Sequence, residues 1–402
     1  MHLPNDVIKI INTLQLAGYE SFAVGGCVRD TLRGVAPKDW DITTSALPTQ
    51  IKTVFSRTVD TGIKHGTITV ILGKNAYEVT TYRIDGVYLD NRRPTSVSFA
   101  SRIEEDLSRR DFTMNAIAYN PTRGFVDPFD GQTDIDRKII RCVGSAAQRF
   151  SEDALRMLRA VRFAGQLGFT VDKDAINAAS KLRNNLTHIS AERIRDELTR
   201  LICAPYPSAI TLLCDTGLLP FTLFGRVFGG DVLHIIHQLE NCPVYLPMRL
   251  ALFLQWTGDD CEKMLRDLRC DNKMIREVSQ YVRLMPIPVP HSRYGIKKYL
   301  QHMTIDSLEN LLTLQCIRGM EVPAAILDEA CDIIALGEPF TIKDLAVNGD
   351  DLLSIGIPHG QRMGEILQML LDLVMRDAHA NKKAHLLDAA RGFMENTNKQ
   401  NL

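Results

Sequence analysis

The chain has no C-x-x-C pair, no apolar run approaching the roughly 18 residues of a membrane span, no low-complexity tract and no repeat of fixed period. Each absence removes a class. Nine cysteines at positions 27, 142, 203, 214, 242, 261, 270, 316 and 331 are odd in number and scattered, which indicates reduced thiols and neither a disulfide framework nor a zinc site. The N-terminal stretch MHLPNDVIKIINTLQ lacks a basic region followed by an apolar one, so a cytoplasmic protein without a membrane partner is expected. Charge of one sign is lacking too. The net charge of −1 speaks against a polyanionic partner for the chain as a whole, yet residues 137–200 carry 13 Lys/Arg against 7 Asp/Glu, a local excess of +6. Such a segment is a candidate phosphate-binding surface, with a solvated helix face as the commoner explanation.

What is present is a soluble composition, 45% hydrophobic and 24% charged, on 402 residues, enough for two to four structural units. Strand signals cluster in the first 140 residues: SFAV (21–24), KDWDIT (38–43), TITVIL (67–72), AYEVTTY (76–82) and AIAY (116–119), with helical patterns at about 5–17 and 104–115. From about residue 145 apolar residues recur at three and four almost without interruption, broken near 204–207, 285–290 and 336–340. The expected fold class is α+β: a mixed-sheet head with flanking helices, followed by an all-helical remainder.

Chemistry concentrates in the head. In KDWDIT, Asp39 and Asp41 lie one residue apart, so strand alternation projects both to one side while Trp40 and Ile42 face the opposite layer. Two carboxylates so held can ligate a hard cation such as Mg²⁺, although an isolated D-x-D is more often a pair of solvated acids. Three neighbours add weight. FAVGGCVRD puts Gly25 and Gly26 at a strand end and Arg29 about one helical turn on, a turn that lets backbone approach a phosphate. Glu78 in AYEVTTY is a third carboxylate for a two-metal phosphoryl-transfer site, a solvated edge-strand acid being its plain alternative. RRDFTMNA supplies Arg110 for phosphate oxygens and Asp111 and Asn115 for ribose hydroxyls, or an Arg–Asp pair that only caps a helix. In SEDALRMLRAVRF, Ser151 reads as an N-cap, with Glu152 and Asp153 in the first turn. Asp153 and Arg156 would share a face, and Arg159 and Arg162 would follow one and two turns on.

GGCVRD, the D-W-D, the Glu78 strand and RRDFTMN, continued by RFSEDALRMLRAVRFAGQLGF and ISAERIRDEL, resemble in order and spacing the class II tRNA nucleotidyltransferases, the CCA-adding enzymes of the DNA polymerase β-like superfamily. The resemblance covers roughly the first half of the chain; beyond residue 205 it rests on helical character and length. It implies a catalytic head (1–140), a neck that reads the base (141–205), a helical body (206–335) and a tail (336–402). Asp39 and Asp41 would hold Mg²⁺ with Glu78 beside them, and Gly25, Gly26, Arg29, Arg110, Asp111 and Asn115 would hold the nucleotide. Asp153 and Arg156 would read cytosine, then adenine. Arg159 and Arg162 would contact phosphates or support that face, with Glu192 and Arg193 bracing it. Residues 83–94, RIDGVYLDNRRP, resemble the flexible loop that helps the pocket switch from CTP to ATP.

The implied substrates are CTP, ATP and tRNA, met at acceptor stem and elbow, by a monomer or homodimer. Related alternatives are an A-adding tRNA enzyme and a bacterial poly(A) polymerase. A D-x-D glycosyltransferase would call for repeated strand–helix alternation. A catalytically inactive RNA-binding protein is the alternative from another class, against which the intact Asp39, Asp41 and Arg110 count. His234 and His237 have metal-like spacing and no evident third ligand, and no His-Asp doublet suggests an appended phosphohydrolase.

Overall fold

The computed structural model describes residues 1–86 and 97–400; residues 87–96, most of the predicted flexible loop, lie outside them. The chain divides into two compact units, Met1–Arg276 and Glu277–Leu402. The division falls within the stretch 206–335 expected as one helical body.

In the first unit, strands β1 (Ser21–Val24), β2 (Asp41–Thr44), β3 (Thr58–Gly62), β4 (Thr67–Leu72) and β5 (Asn75–Thr81) are followed by a separate hairpin of β6 (Arg83–Asp85) and β7 (Val97–Phe99). Strands β8 (Ala118–Asn120) and β9 (Gly124–Val126) complete a seven-stranded mixed sheet of order β3-β4-β5-β2-β1-β8-β9. Among the described residues its only parallel pair is β2 with β5. The expected strands at 21–24, 67–72, 76–82 and 116–119 form with shifts of a residue or two. β3 was not expected because its TVDTG is polar and mostly exposed, so no inside–outside alternation marks it. The strand expected from Lys38 begins only at Asp41.

Helix α1 (Asn5–Leu16) buries Val7, Ile10, Ile11 and Leu14, roughly 1.5–3 kcal/mol apiece relative to exposure. Helices α2 (Gly26–Leu32), α3 (Pro48–Val54), α4 (Ile103–Ser108) and α5 (Gly131–Asp136) flank the sheet. Phe22, Val24, Tyr82, Ile103, Leu107, Ala116 and Ala118 form one core cluster of the head. The helix expected over 104–115 stops at Ser108; Arg109 to Phe112 leave it, and a single 3₁₀ turn covers Thr113–Asn115. Thr113 N–H donates to the Arg141 carbonyl and Val143 N–H to that of Asp111, which pins this segment in an antiparallel bridge.

Beyond it come α6 (Ala146–Glu152), α7 (Leu155–Leu167), α8 (Lys173–Leu182) and α9 (Ala191–Ile202), then helices to the end of the unit. The helix expected to start at Ser151 is in fact two. Ser145 caps α6, whose last turn contains Ser151 and Glu152. Asp153 is extended (φ −139°, ψ 105°) and accepts from Leu155 N–H at 3.1 Å, opening α7. The apolar period runs through this break, so periodicity alone does not reveal it.

The second unit is helical, with helices Arg293–Leu300, Ile305–Ile317, Ala325–Ala335, Gln361–Arg376 and Lys383–Gln400. Leu352, Ile357, Leu370, Val374, Leu386 and Ala390 are fully buried in its core. No helix among the described residues is long and apolar enough to cross a membrane.

Candidate active site

Parallel pairing sets Asp41 of β2 directly beside Glu78 of β5, so their side chains share one face of the sheet. Both are exposed, and with Asp39 they line an open cleft of 840 Å³. The Asp41 carboxyl is pushed up from its ordinary value: surrounding protein desolvates it, Arg110 opposes that, and Glu78 and Asp39 add repulsion. Asp39 sits in a bend before the strand, so strict alternation does not govern residues 39 and 40. Trp40 accordingly lines the cleft half-exposed, while Ile42 alone enters the core.

No three His, Cys, Asp or Glu side chains among the described residues form a ready-made metal cluster. The donor set nevertheless fits a hard divalent cation. It offers carboxylate oxygens whose mutual repulsion a cation would relieve, and Mg²⁺ is commonly held by one or two carboxylates, with water and substrate phosphates completing the shell. His234 and His237 lie on the helix Val232–Glu240, where His234 Nε2 meets Gln238 Nε2 at 3.0 Å.

On the other side of β2, the turn from β1 into α2 needs Gly25: its φ of 81° and ψ of −129° favour glycine, and a Cβ would stand 2.9 Å from Arg110 Nη1. Gly26 opens α2 and Arg29 lies one turn on. Arg29 is buried and engaged, donating through Nε and Nη2 to both Asp30 oxygens at 2.9 Å and through Nη1 to Asn115 Oδ1 at 2.7 Å. Arg110 donates Nη2 to Asp106 Oδ2 at 3.3 Å and Nη1 to the Asn115 carbonyl at 3.5 Å, while its buried Nε has no partner among the described residues. Asp111 accepts from Phe112 N–H, from Asn115 Nδ2 at 3.1 Å and from Arg159 at 2.6 and 2.9 Å. Burial alone would raise its carboxyl, but the Arg159 charge and hydrogen bonds outweigh burial and bring it down to about 2.

Asp153 and Arg156 do not pair on a common face. Asp153 is held by Arg193 at 2.7 Å. Arg156, buried, donates to Glu152 at 2.7 Å and to the carbonyls of Arg149 and Arg109. Arg162 pairs with buried Glu197 and with Gln166, and its guanidinium lies 3.8 Å from the Phe163 ring centroid, which Arg29 and Arg159 also approach, at 5.2 and 5.5 Å. Burial lowers the Arg162 guanidinium despite Glu197. Of the two expected braces, Arg193 grips Asp153 and Glu192 is exposed.

Sequence reasoning passed over Asp106, fully buried and bound to Arg109 and Arg110, and Glu197, and it read Glu152 as a first-turn acid without its pairing to Arg149 and Arg156. A signal was available for two of them, since Asp106 and Glu152 stand four residues before Arg110 and Arg156.

Residues 21–141 match the family model of the Poly A polymerase head domain, 168–223 that of the probable RNA and SrmB-binding site of polymerase A, and 248–390 that of the putative tRNA nucleotidyltransferase domain 2. The CCA-adding enzyme of Geobacillus kaustophilus is 51% identical over 387 residues, 94% of each chain. That of Lactiplantibacillus plantarum is 36% identical over 97% of this chain and 96% of its own. The crystal structure of the Bacillus stearothermophilus CCA-adding enzyme in complex with CTP superposes with a TM-score of 0.84 at 33% identity, covering 98% of this chain and all of that one. The Thermotoga maritima CCA-adding enzyme complexed with tRNA shares the fold, with a TM-score of 0.65 at 18% identity. With relatives this similar along nearly the whole of both chains, the chain belongs to the CCA-adding enzymes, a family of nucleotidyltransferases.

Proposed function

We propose that this protein adds C, C and A in turn to tRNA 3′ ends from CTP and ATP, without a nucleic-acid template, releasing pyrophosphate at each step. The observation that carries this reading is the 51% identity to a CCA-adding enzyme over 94% of both chains. The tRNA 3′ hydroxyl attacks the α-phosphorus of the incoming nucleotide; the new P–O bond forms as the bond to pyrophosphate breaks, and the hydroxyl proton leaves to solvent.

Nucleotidyltransferases of the polymerase β-like type generally use divalent metals, and Mg²⁺ is the ion assigned here, held by Asp39 and Asp41 with Glu78 beside them. When bound, it lowers the pKa of the attacking hydroxyl and neutralises charge on the phosphates. Gly25 and Gly26 give the triphosphate access to backbone, and Arg110, with one N–H unpartnered, together with Arg29 faces it. Asp111 and Asn115 take the ribose side and fix Arg159 and Arg29. Asp153 and Arg156 read the base edge, which requires each to exchange its present partner, Arg193 or Glu152, for the base. Arg159 and Arg162 support that face. In this reading, residues 1–140 are catalytic, 141–205 choose the nucleotide, and the body (206–335) and tail (336–402) carry the tRNA from acceptor stem to elbow. Its setting is the cytoplasm.

The test is extension of tRNAs ending before CCA, after C and after CC, with CTP or ATP supplied separately and products resolved to one nucleotide. Addition of C to the first two and of A to the third is expected. Extension of the third alone would make this an A-adding enzyme, and untemplated runs of A a poly(A) polymerase.

A further inference from the structure

The cleft in front of Asp41 and Glu78 has an acidic floor, but its walls are basic and aromatic. Lys38 and Trp40 precede β2, Lys74 comes from the β4–β5 turn, Tyr77 from β5, and Thr61 and Thr69 from β3 and β4. Lys38 and Lys74 are exposed, and neither forms an ion pair with another described residue, although three carboxylates line the same cleft. Tyr77 is fixed: its hydroxyl donates to Asp6 Oδ2 at 3.0 Å, where Asn75 Nδ2 also donates at 3.1 Å. A volume of 840 Å³ is within the range of sites that enclose a molecule the size of a nucleotide or larger, about 300–1,000 Å³.

Strand order separates this cleft from the residues assigned to the triphosphate. β2 lies between β5 on one side and β1 on the other. Every wall of the cleft comes from the β5, β4 and β3 side or from the approach to β2, while Gly25, Arg29, Arg110 and Asn115 gather at the end of β1. An in-line displacement needs the attacking and leaving oxygens on opposite sides of the phosphorus. With the triphosphate on the β1 flank, the attacking strand arrives from the β5 flank.

We propose that this cleft receives the 3′-terminal nucleotides of the acceptor RNA, Trp40 stacking on a base and Lys38 and Lys74 taking backbone phosphates. The inference rests on the nucleotidyltransferase reading above. The chemistry of the walls favours a strand over a second triphosphate. Lysine meets a phosphate as a point charge, which suits single backbone phosphates, whereas forked two-bond contacts are made by arginine, and the arginines assigned to the nucleotide lie on the other flank. An aromatic face accepts any base, as an end that changes from the discriminator nucleotide to C to CC requires.

The experiment measures steady-state extension by the full-length protein, varying tRNA lacking CCA and CTP independently, for wild type, Trp40→Ala, Trp40→Phe and Lys38→Ala/Lys74→Ala. The expected result is a roughly tenfold or greater rise in KM for tRNA with Trp40→Ala, substantially restored in Trp40→Phe, and KM for CTP within about twofold of wild type. The double lysine variant should raise KM for tRNA and flatten its dependence on salt. A direct readout accompanies the kinetics. Trp40 is one of only two tryptophans, so tRNA should quench the protein's fluorescence in wild type, CTP should not, and the quench should shrink in Trp40→Phe. An unchanged KM for tRNA in the variants, or a rise confined to CTP, would overturn the proposal while leaving the function intact. A wild-type protein that extends no tRNA would overturn the function and this inference with it.

Discussion

On the β5 flank of β2 the charged groups face solvent: Asp41 and Glu78 stand side by side, and Lys38 and Lys74 rim the same cleft without ion-pair partners among the described residues. On the β1 flank and along α4, α6 and α7, nearly every charge is already answered from within the chain. Arg29 is bound by Asp30 and Asn115, Arg110 by Asp106, Arg159 by Asp111, Arg156 by Glu152 and Arg162 by Glu197. The two flanks therefore relate to a ligand differently. The cleft holds uncompensated charge that bound ions and phosphates would relieve, so binding there gains by neutralisation. The arginine lattice is pre-organised by its own acids; a nucleotide bound there would gain by finding donors already oriented, and would have to displace a partner wherever it took a group that is engaged. Loss of a charge is therefore expected to cost stability in the lattice and to spare it in the cleft.

Removing one charge from each flank separates these roles. Asp41→Asn carries the largest expected effect, a fall in turnover on the order of 10³-fold with no loss of stability. The sign follows from the raised Asp41 carboxyl. The folded state binds this proton more tightly than the unfolded chain does, so ionising Asp41 costs stability as pH rises through its titration, and the cost persists at neutral pH. Thermal melts should place Asp41→Asn at or above wild type at pH 7, with the difference closing as pH falls below about 4. A variant that melts lower at neutral pH would show that Asp41 is structurally paired and would break the contrast.

Asp106→Ala makes the opposite cut. Fully buried Asp106 accepts from Arg109 and Arg110, and the Arg109 carbonyl in turn holds Arg156. Deleting it removes the buried carboxylate that both guanidinium groups share. The expected loss is about 3–5 kcal/mol in urea unfolding, as when one partner of a buried pair is removed. Asp106→Asn, which keeps the shape, should recover part of that stability.

The cleft was largely legible in the sequence and the lattice was not, for reasons that lie in how each is built. Asp39, Asp41 and Glu78 are short-range strand features, and parallel pairing needs only the correct strand order to set Asp41 beside Glu78. Gly25 and Gly26 announce a turn, and at Gly25 a Cβ would crowd Arg110. Where local pattern misled, backbone irregularity was the cause: β2 begins three residues later than its β-rich sequence suggests, which turns Trp40 toward the cleft. The break at Asp153 is a single extended residue inside an unbroken apolar period, and it separates Asp153 from Arg156. Part of the lattice depends on tertiary pairing between distant segments, as in Asp111 with Arg159 and Arg162 with Glu197, and no spacing rule reaches that far.

Asp111 provides the smallest and sharpest test, because its titration runs opposite to that of Asp41 in the same head. Its folded-state carboxyl, held by Arg159, Asn115 and the Phe112 N–H, titrates near 2 against 3.8 for the unperturbed group. A depressed folded pKa means that the contribution is complete above about pH 4 and is lost as pH falls from there toward 2. Its size is on the order of 2 kcal/mol. Asp111→Asn should therefore unfold at lower urea than wild type at pH 5, and the gap should narrow as pH is lowered toward 2.5, where the wild-type carboxyl begins to take up its proton. For Asp41→Asn the gap has the opposite sign, persists at neutral pH and closes as pH falls below about 4. Opposite stability slopes for Asp41 on β2 and Asp111 beyond the β1 flank would be the direct thermodynamic signature of a head whose cleft charges are uncompensated and whose lattice charges are paired; parallel slopes would mean that both belong to one electrostatic network.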